Sequence, residues 1–308
     1  MAMTILDRAV QPAPAPRLAA LLAHASIEVT ARDPAIADRL RADFPRTADV
    51  HVTFLQDDDY GRFEETCRRL RLAGFNPVPH LTARNFASRD ALDGHLGRLS
   101  EHAGVARALV IAGDVSRPRG PFATSLDLLQ TDLLQRHGIG SVLIAGHPEG
   151  HPAASEATMH AALRDKIAYA RAARLDVQIM TQFGFDAAAV LDWLARVRRL
   201  GIGVPVRVGV AGPASTAALV KFAVHCGVGN SVRALRARGA AIGKLMGETR
   251  PDVLLRALAH GWTDPGIGAI SGIHFYMFGG PARTARWLAD FVDELDREGD
   301  VAMHGAVS

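Results

Sequence analysis

A chain of 308 residues with 48% hydrophobic and 22% charged residues has ordinary globular composition, which excludes a fibre or a disordered bulk and permits one large core. The net charge is only +3, and the basic runs at 68–71 and 196–199 have no aromatic partners, so solvated helix faces explain them better than a nucleic-acid footprint, and no nucleic-acid partner is expected. Cys67 and Cys226 stand far apart, the first residues lack the charged-then-apolar pattern of a secretory leader, and no apolar run reaches bilayer length; the expectation is a cytoplasmic protein with no structural disulfide and no membrane partner.

In chain order, Pro12, Pro14 and Pro16 alternate with alanine and predict a flexible arm over 1–17, with a single domain over 18–308. Short apolar runs then recur at 25–29, 50–54, 77–81, 108–111, 141–145, 177–181, 206–210 and 268–276. Between them lie amphipathic stretches such as 58–73 and 186–200, with apolar residues three and four apart. Eight strands alternating with helices predict an α/β fold, a (β/α)8 TIM barrel. A doubly wound sheet is the rival, but it expects a Gly-x-Gly-x-x-Gly turn after the first strand, where Glu28 is followed by Val-Thr-Ala-Arg. Polar residues close many different runs instead: Glu28, Thr53, His80, Asp114, His147, Gln182 and Tyr276. That scatter suits a barrel mouth.

Several of these residues carry chemistry. The run 179–186 reads Ile-Met-Thr-Gln-Phe-Gly-Phe-Asp, and a neutral amide at Gln182 both donates and accepts, as a heterocycle requires. Glu28 sits inside the β-run Ser-Ile-Glu-Val, where burial is expected to raise its pKa and make it a proton donor. Asp114 follows Gly113, either close to a ligand or as a helix N-cap. His147, Glu149 and His151 invite a metal reading, but Pro148 and Pro152 break the helix that would align the two histidines, so a loop over a ligand is expected and no metal. Lys166, in the helical stretch 163–170, is either a phosphate contact or an exposed helix lysine.

Pro79-His80-Leu81-Thr82, Ala112-Gly113-Asp114, Pro148-Glu149-Gly150-His151-Pro152, Thr181-Gln182-Phe183-Gly184-Phe185-Asp186 and His274-Phe275-Tyr276 stand in one order across about 25–290. In that order they resemble the methylenetetrahydrofolate reductase family. The resemblance implies a TIM barrel holding FAD in its mouth, with NADH or NADPH as co-substrate and a tetrahydrofolate as substrate. It implies Glu28 as the acid that protonates the folate bridge nitrogen and Asp114 as the carboxylate beside flavin and pterin. Thr53, His80, Gly113, Asp114, Ala123, His151 and Lys166 fall where the family contacts FAD. Gln182, Phe222 and Tyr276 fall where it contacts pterin, nucleotide and folate.

Where the family has Phe-Phe-Pro-Pro after the glutamate, this chain has Val29-Thr30-Ala31-Arg32, and Ala112 and Phe122 replace an arginine and a tyrosine. His147 stands for a loop tyrosine and Gly279-Gly280 for a later arginine. Alternatives therefore stand beside FAD-dependent reduction: direct hydride transfer without flavin, a folate-binding barrel or partner subunit without catalysis, or a transferase or hydrolase acting on a pterin-like ring. The sequence leaves a homo-oligomer, the choice of nucleotide and the physiological direction open.

Overall fold

The computed structural model describes residues 14–55, 57–225, 248–262, 266–268 and 270–305. Eight parallel strands form a closed barrel: β1 (Ser26–Thr30), β2 (Asp49–Thr53), β3 (Asn76–Thr82), β4 (Arg107–Ile111), β5 (Ser141–Gly146), β6 (Asp176–Thr181), β7 (Val206–Ala211) and β8 (Ile270–Tyr276). Each pairs with its chain neighbours, and β8 closes on β1 with Ile27 opposite Phe275 and Glu28 opposite Tyr276. The eight apolar runs all become barrel strands, with ends shifted by one or two residues.

The helices are α1 (Pro14–Leu22), α2 (Ile36–Asp43), α3 (Tyr60–Leu72), α4 (Arg89–Ala103), α5 (Ser125–Leu129), α6 (Leu133–Arg136), α7 (Glu156–Ala172), α8 (Ala187–Arg199), α9 (Thr216–His225), α10 (Asp252–Gly261) and α11 (Pro281–Gly305). Their apolar stripes and the outward residues of the strands, among them Ile27, Val50, Ile144, Val208 and Phe275, make the main core. A short antiparallel ladder joins Ala214–Ser215 to Glu248–Thr249. Side chains supply the helix starts: Asp59 accepts from Arg62 N, Ser155 from Thr158 N, and Asp186, the last residue of the Gln182 motif, from Ala188 N.

Helix α1 begins at Pro14, so residues 14–17 of the expected arm are helical. Proline is tolerated there because the first backbone N–H groups of a helix have no intrahelical acceptor. Residues 1–13 and Cys226 lie outside the described residues, and Cys67 is a buried free thiol. Among the described residues no helix is long and apolar enough to cross a membrane.

Side chains alternate in and out along each strand, and the barrel interior divides into two halves. Val78, Leu109, Leu143 and Met180, from β3 to β6, pack as a separate apolar cluster. The same parity on β1, β2 and β8 brings Glu28, His51 and His274 inward, where they meet His80 of β3. The polar half leads up to the carboxyl ends of the strands.

Candidate active site at the carboxyl end of the barrel

Glu28 is 19% exposed and lies beside His51 on β2 and Tyr276 on β8 in the strand register. Its Oε2 is 3.6 Å from His274 Nε2 and 3.7 Å from His80 Nε2. His80 Nε2 is in turn 3.3 Å from His51 Nδ1, and the His51 and His274 rings meet edge to face at 4.5 Å. Burial pushes the Glu28 carboxyl up, but the His274 Nε2 that faces it and the fields of His80 and His274 outweigh it and hold it below the usual carboxylate range. This reverses the expectation of a raised pKa, because the opposing imidazoles come from strands remote in sequence. Burial in turn pushes His80 down to about 4, His51 well below its ordinary value, and His274 down.

Gly113 adopts φ +93°, and a Cβ there would lie 3.1 Å from Thr82 Cβ and 3.2 Å from Asn85 Oδ1. The chain after β4 thus lies tightly against the end of β3. Asp114 is exposed, and α5 is capped by Thr124 in a capping box with Asp127, so Asp114 caps no helix. Ala123 is exposed; its N–H donates to Asp127 and its carbonyl accepts from Arg84 Nε at 2.8 Å. Arg84 also donates its backbone N–H to Ala112 O at 2.9 Å and its Nη1 to Val115 O at 3.4 Å. A cation from the turn after β3 therefore lies against the loop in which Ala112 replaces an arginine. Arg84 follows Pro-His-Leu-Thr directly, yet only the fold relates it to that loop.

Gln182 is half-buried, with its N–H on Gly146 O at 2.8 Å. Thr181 anchors it: Thr181 Oγ1 accepts from Gly209 N at 2.8 Å, and Thr181 O accepts from the Tyr276 hydroxyl at 3.2 Å. Phe183 packs on Tyr276 and Phe278 with centroids 5.2 and 4.9 Å apart, and Phe222 stacks on Phe278 at 4.2 Å. Phe183, Phe222 and Tyr276 thus share one aromatic wall beside the strand end that bears Gln182. Phe278, two residues beyond β8, completes it and went unmarked in the sequence.

Lys166 is 8% exposed, which excludes the surface-lysine reading, and it forms no ion pair among the described residues. His147 is pushed down to about 4, first by burial and then by His151 and Lys166, and its Nδ1 is buried without a partner among the described residues. His151 is exposed, its ring 5.1 Å from that of His147. Among the described residues no three ligands gather as a metal site. Thr53 Oγ1, at the end of β2, is buried toward Glu28 and helps to hold its carboxyl down. A buried cation with no ion pair among the described residues and the unpartnered His147 Nδ1 fit an anionic, polar group.

Burial holds the Lys166 ammonium down to about 8, against an ordinary lysine value of 10.5. Between those values the unfolded chain binds more protons, so the lysine costs stability below the window and the cost fades as pH rises through it. Wild-type protein is expected to gain stability relative to Lys166→Met as pH rises from about 8 to about 10, read as urea midpoints; parallel curves would contradict a buried, unpaired ammonium.

A closed parallel barrel with polar groups gathered at the carboxyl ends of its strands is a (β/α)8 TIM barrel, a fold that builds active sites at that end. A family model, "Methylenetetrahydrofolate reductase", matches residues 62–232, more than half of the chain, and the chain belongs to that family, oxidoreductases of folate metabolism. Among solved structures it is similar to dihydropteroate synthase from Thermus thermophilus, at 14% identity and a TM-score of 0.47 over 88% of this chain and 94% of that one. It is also similar to 3-dehydroquinate dehydratase from Geobacillus kaustophilus, at 12% identity and a TM-score of 0.46 over 89% and 92%. Likenesses this distant say nothing about activity.

Proposed function

We propose that this protein reduces 5,10-methylenetetrahydrofolate to 5-methyltetrahydrofolate with NADH or NADPH through FAD at the barrel mouth, in a reaction reversible in principle. The observation that carries the reading is the placement of a carboxyl group, Glu28, directly beside Tyr276, whose hydroxyl ties it to the strand end bearing Gln182. An acid on β1 and a ring-binding amide at the end of β6, linked through Tyr276 of β8, suit a substrate that is a heterocycle needing one proton. The hydride would come from the flavin, which accepts it from the nucleotide in one half-reaction and gives it up in the other.

The chain's own residues supply the rest. The Gln182 amide pairs with the pterin ring, and Tyr276 and Phe222 flank it. Glu28 gives its proton to the folate bridge nitrogen, so the five-membered ring opens to a cationic iminium whose carbon receives the hydride; one proton and one hydride enter, and the methyl product leaves. Substrate covering the exposed part of Glu28 strengthens the burial effect that raises its pKa, which moves the resting carboxylate toward the acid form. The exposed Asp114 places negative charge at the rim, where it stabilises the cation. Lys166 would meet the cofactor phosphates as a point charge, with Thr53, His80, Gly113, Ala123 and His151 as residues that would hold the rest of it and Arg84 as an added cation.

Steady-state assays test this reading. Turnover with one nucleotide that requires FAD and follows ping-pong kinetics is expected; undiminished turnover by FAD-free protein would replace it with direct hydride transfer. Calorimetric binding of tetrahydrofolate without turnover would replace it with a folate-binding barrel. Gln182→Ala is expected to raise the KM for the folate about 10- to 100-fold, the worth of one or two lost hydrogen bonds, with FAD retained; loss of FAD would make Gln182 a cofactor or structural residue.

A further inference from the structure

Below Glu28 a chain of side chains runs through the barrel toward its amino end. Arg207, on β7, lines a cavity of about 420 Å³ there with Phe44, Asp49 and Leu288. Its Nη1 donates to Ser26 Oγ at 3.2 Å and reaches the carbonyls of His24 and Ile273 at 3.4 Å. Ser26 and His274 are wholly buried, with Ser26 Oγ 2.9 Å from His274 Nδ1. His274 Nε2 faces Glu28 Oε2 at 3.6 Å and has no closer partner among the described residues.

The directions of these bonds follow from what each group can do. A guanidinium only donates, so the Ser26 oxygen accepts from Arg207. The single hydroxyl proton of Ser26 then needs an acceptor, and among the described residues His274 Nδ1 is the one in reach. With Nδ1 accepting, the neutral ring carries its hydrogen on Nε2.

We propose that Arg207 and Ser26 are positioning residues that lock His274 in the Nε2–H form, so that a hydrogen-bond donor always faces the Glu28 carboxylate and sets its acidity. For the neutral ring the tautomer follows from the hydrogen-bond geometry; its kinetic consequence rests on the proposed role of Glu28. The other ionisable groups around Glu28 are His80 on β3, His51 on β2 and Tyr276 on β8. Arg107 and Asp49, paired with each other at 2.6 Å, lie below them. None of these contacts Ser26 Oγ. Without the Ser26 hydroxyl, Nδ1 is free to take the hydrogen, and Glu28 loses its donor for part of the time.

Nitrogen NMR of the full chain labelled with ¹⁵N-histidine tests this together with half-reaction kinetics. Wild-type His274 is expected to show a bare Nδ1 and a protonated Nε2 through neutral pH, Ser26→Ala and Arg207→Met mixed tautomers, and Ser26→Thr the wild-type pattern. Folate reduction needs protonated Glu28 and falls as pH rises through its pKa. That falling limb should move up by about one pH unit in Ser26→Ala and return in Ser26→Thr, with flavin reduction by nucleotide unmoved. An Nδ1–H tautomer in wild type, or an unshifted limb in folded Ser26→Ala, would overturn the proposal. A wild type inert toward the folate would count against the functional reading alone, with the tautomer still deciding this one.

Discussion

Glu28→Gln is expected to slow reduction of the folate by about 10²- to 10⁴-fold, the usual worth of a positioned general acid, while reduction of bound flavin by nucleotide proceeds at the wild-type rate. The substitution keeps the shape of the side chain and removes only the proton. His80 and His274 lie within 4 Å of the carboxyl, yet neither replaces it, because burial depresses both rings, His80 to about 4. Stopped-flow measurement of each half-reaction separates the effects. Equal loss in both would remove Glu28 from the acid role and make it a cofactor or structural group.

Gly209→Ala is expected to damage stability and the folate site together. A Cβ at this position would lie 2.3 Å from Thr181 O, 2.8 Å from Tyr276 Cε2 and 3.1 Å from the Gln182 carbonyl carbon. Two of those atoms are backbone of the strand end that carries the amide, so they yield only by moving Gln182. Overpacking of this kind costs about 1–3 kcal/mol, and the displaced Thr181–Tyr276 contact should raise the folate KM well beyond any change in FAD affinity. Denaturant midpoints and KM values check both parts. Wild-type values in both would show that β6 and β7 do not need this close approach.

The barrel was legible because a strand buried on both faces reads as a continuous apolar run, and eight such runs separated by amphipathic helices leave few alternatives. Gln182 and Tyr276 were legible for a related reason: they are the polar residues at which apolar runs stop, and the fold ties their strand ends together. The sign of the Glu28 shift was not legible, since it depends on His80 and His274 facing it across the barrel. Ser26, His51 and Arg207 were passed over because an inward polar residue in a strand looks the same in sequence as an outward one. Pro14 misled for a local reason, prolines in a first helical turn being as acceptable as in an extended arm. Lys166 needed the packing of α7 to separate a buried cation from a surface one.

The most direct test of folate reduction through flavin is the visible spectrum of the FAD-loaded protein under anaerobic conditions. Flavin bands that bleach on addition of NADH or NADPH and return on addition of 5,10-methylenetetrahydrofolate are the predicted result. Protein that takes up no FAD, or bound flavin that bleaches but is not reoxidised by the folate, would contradict it.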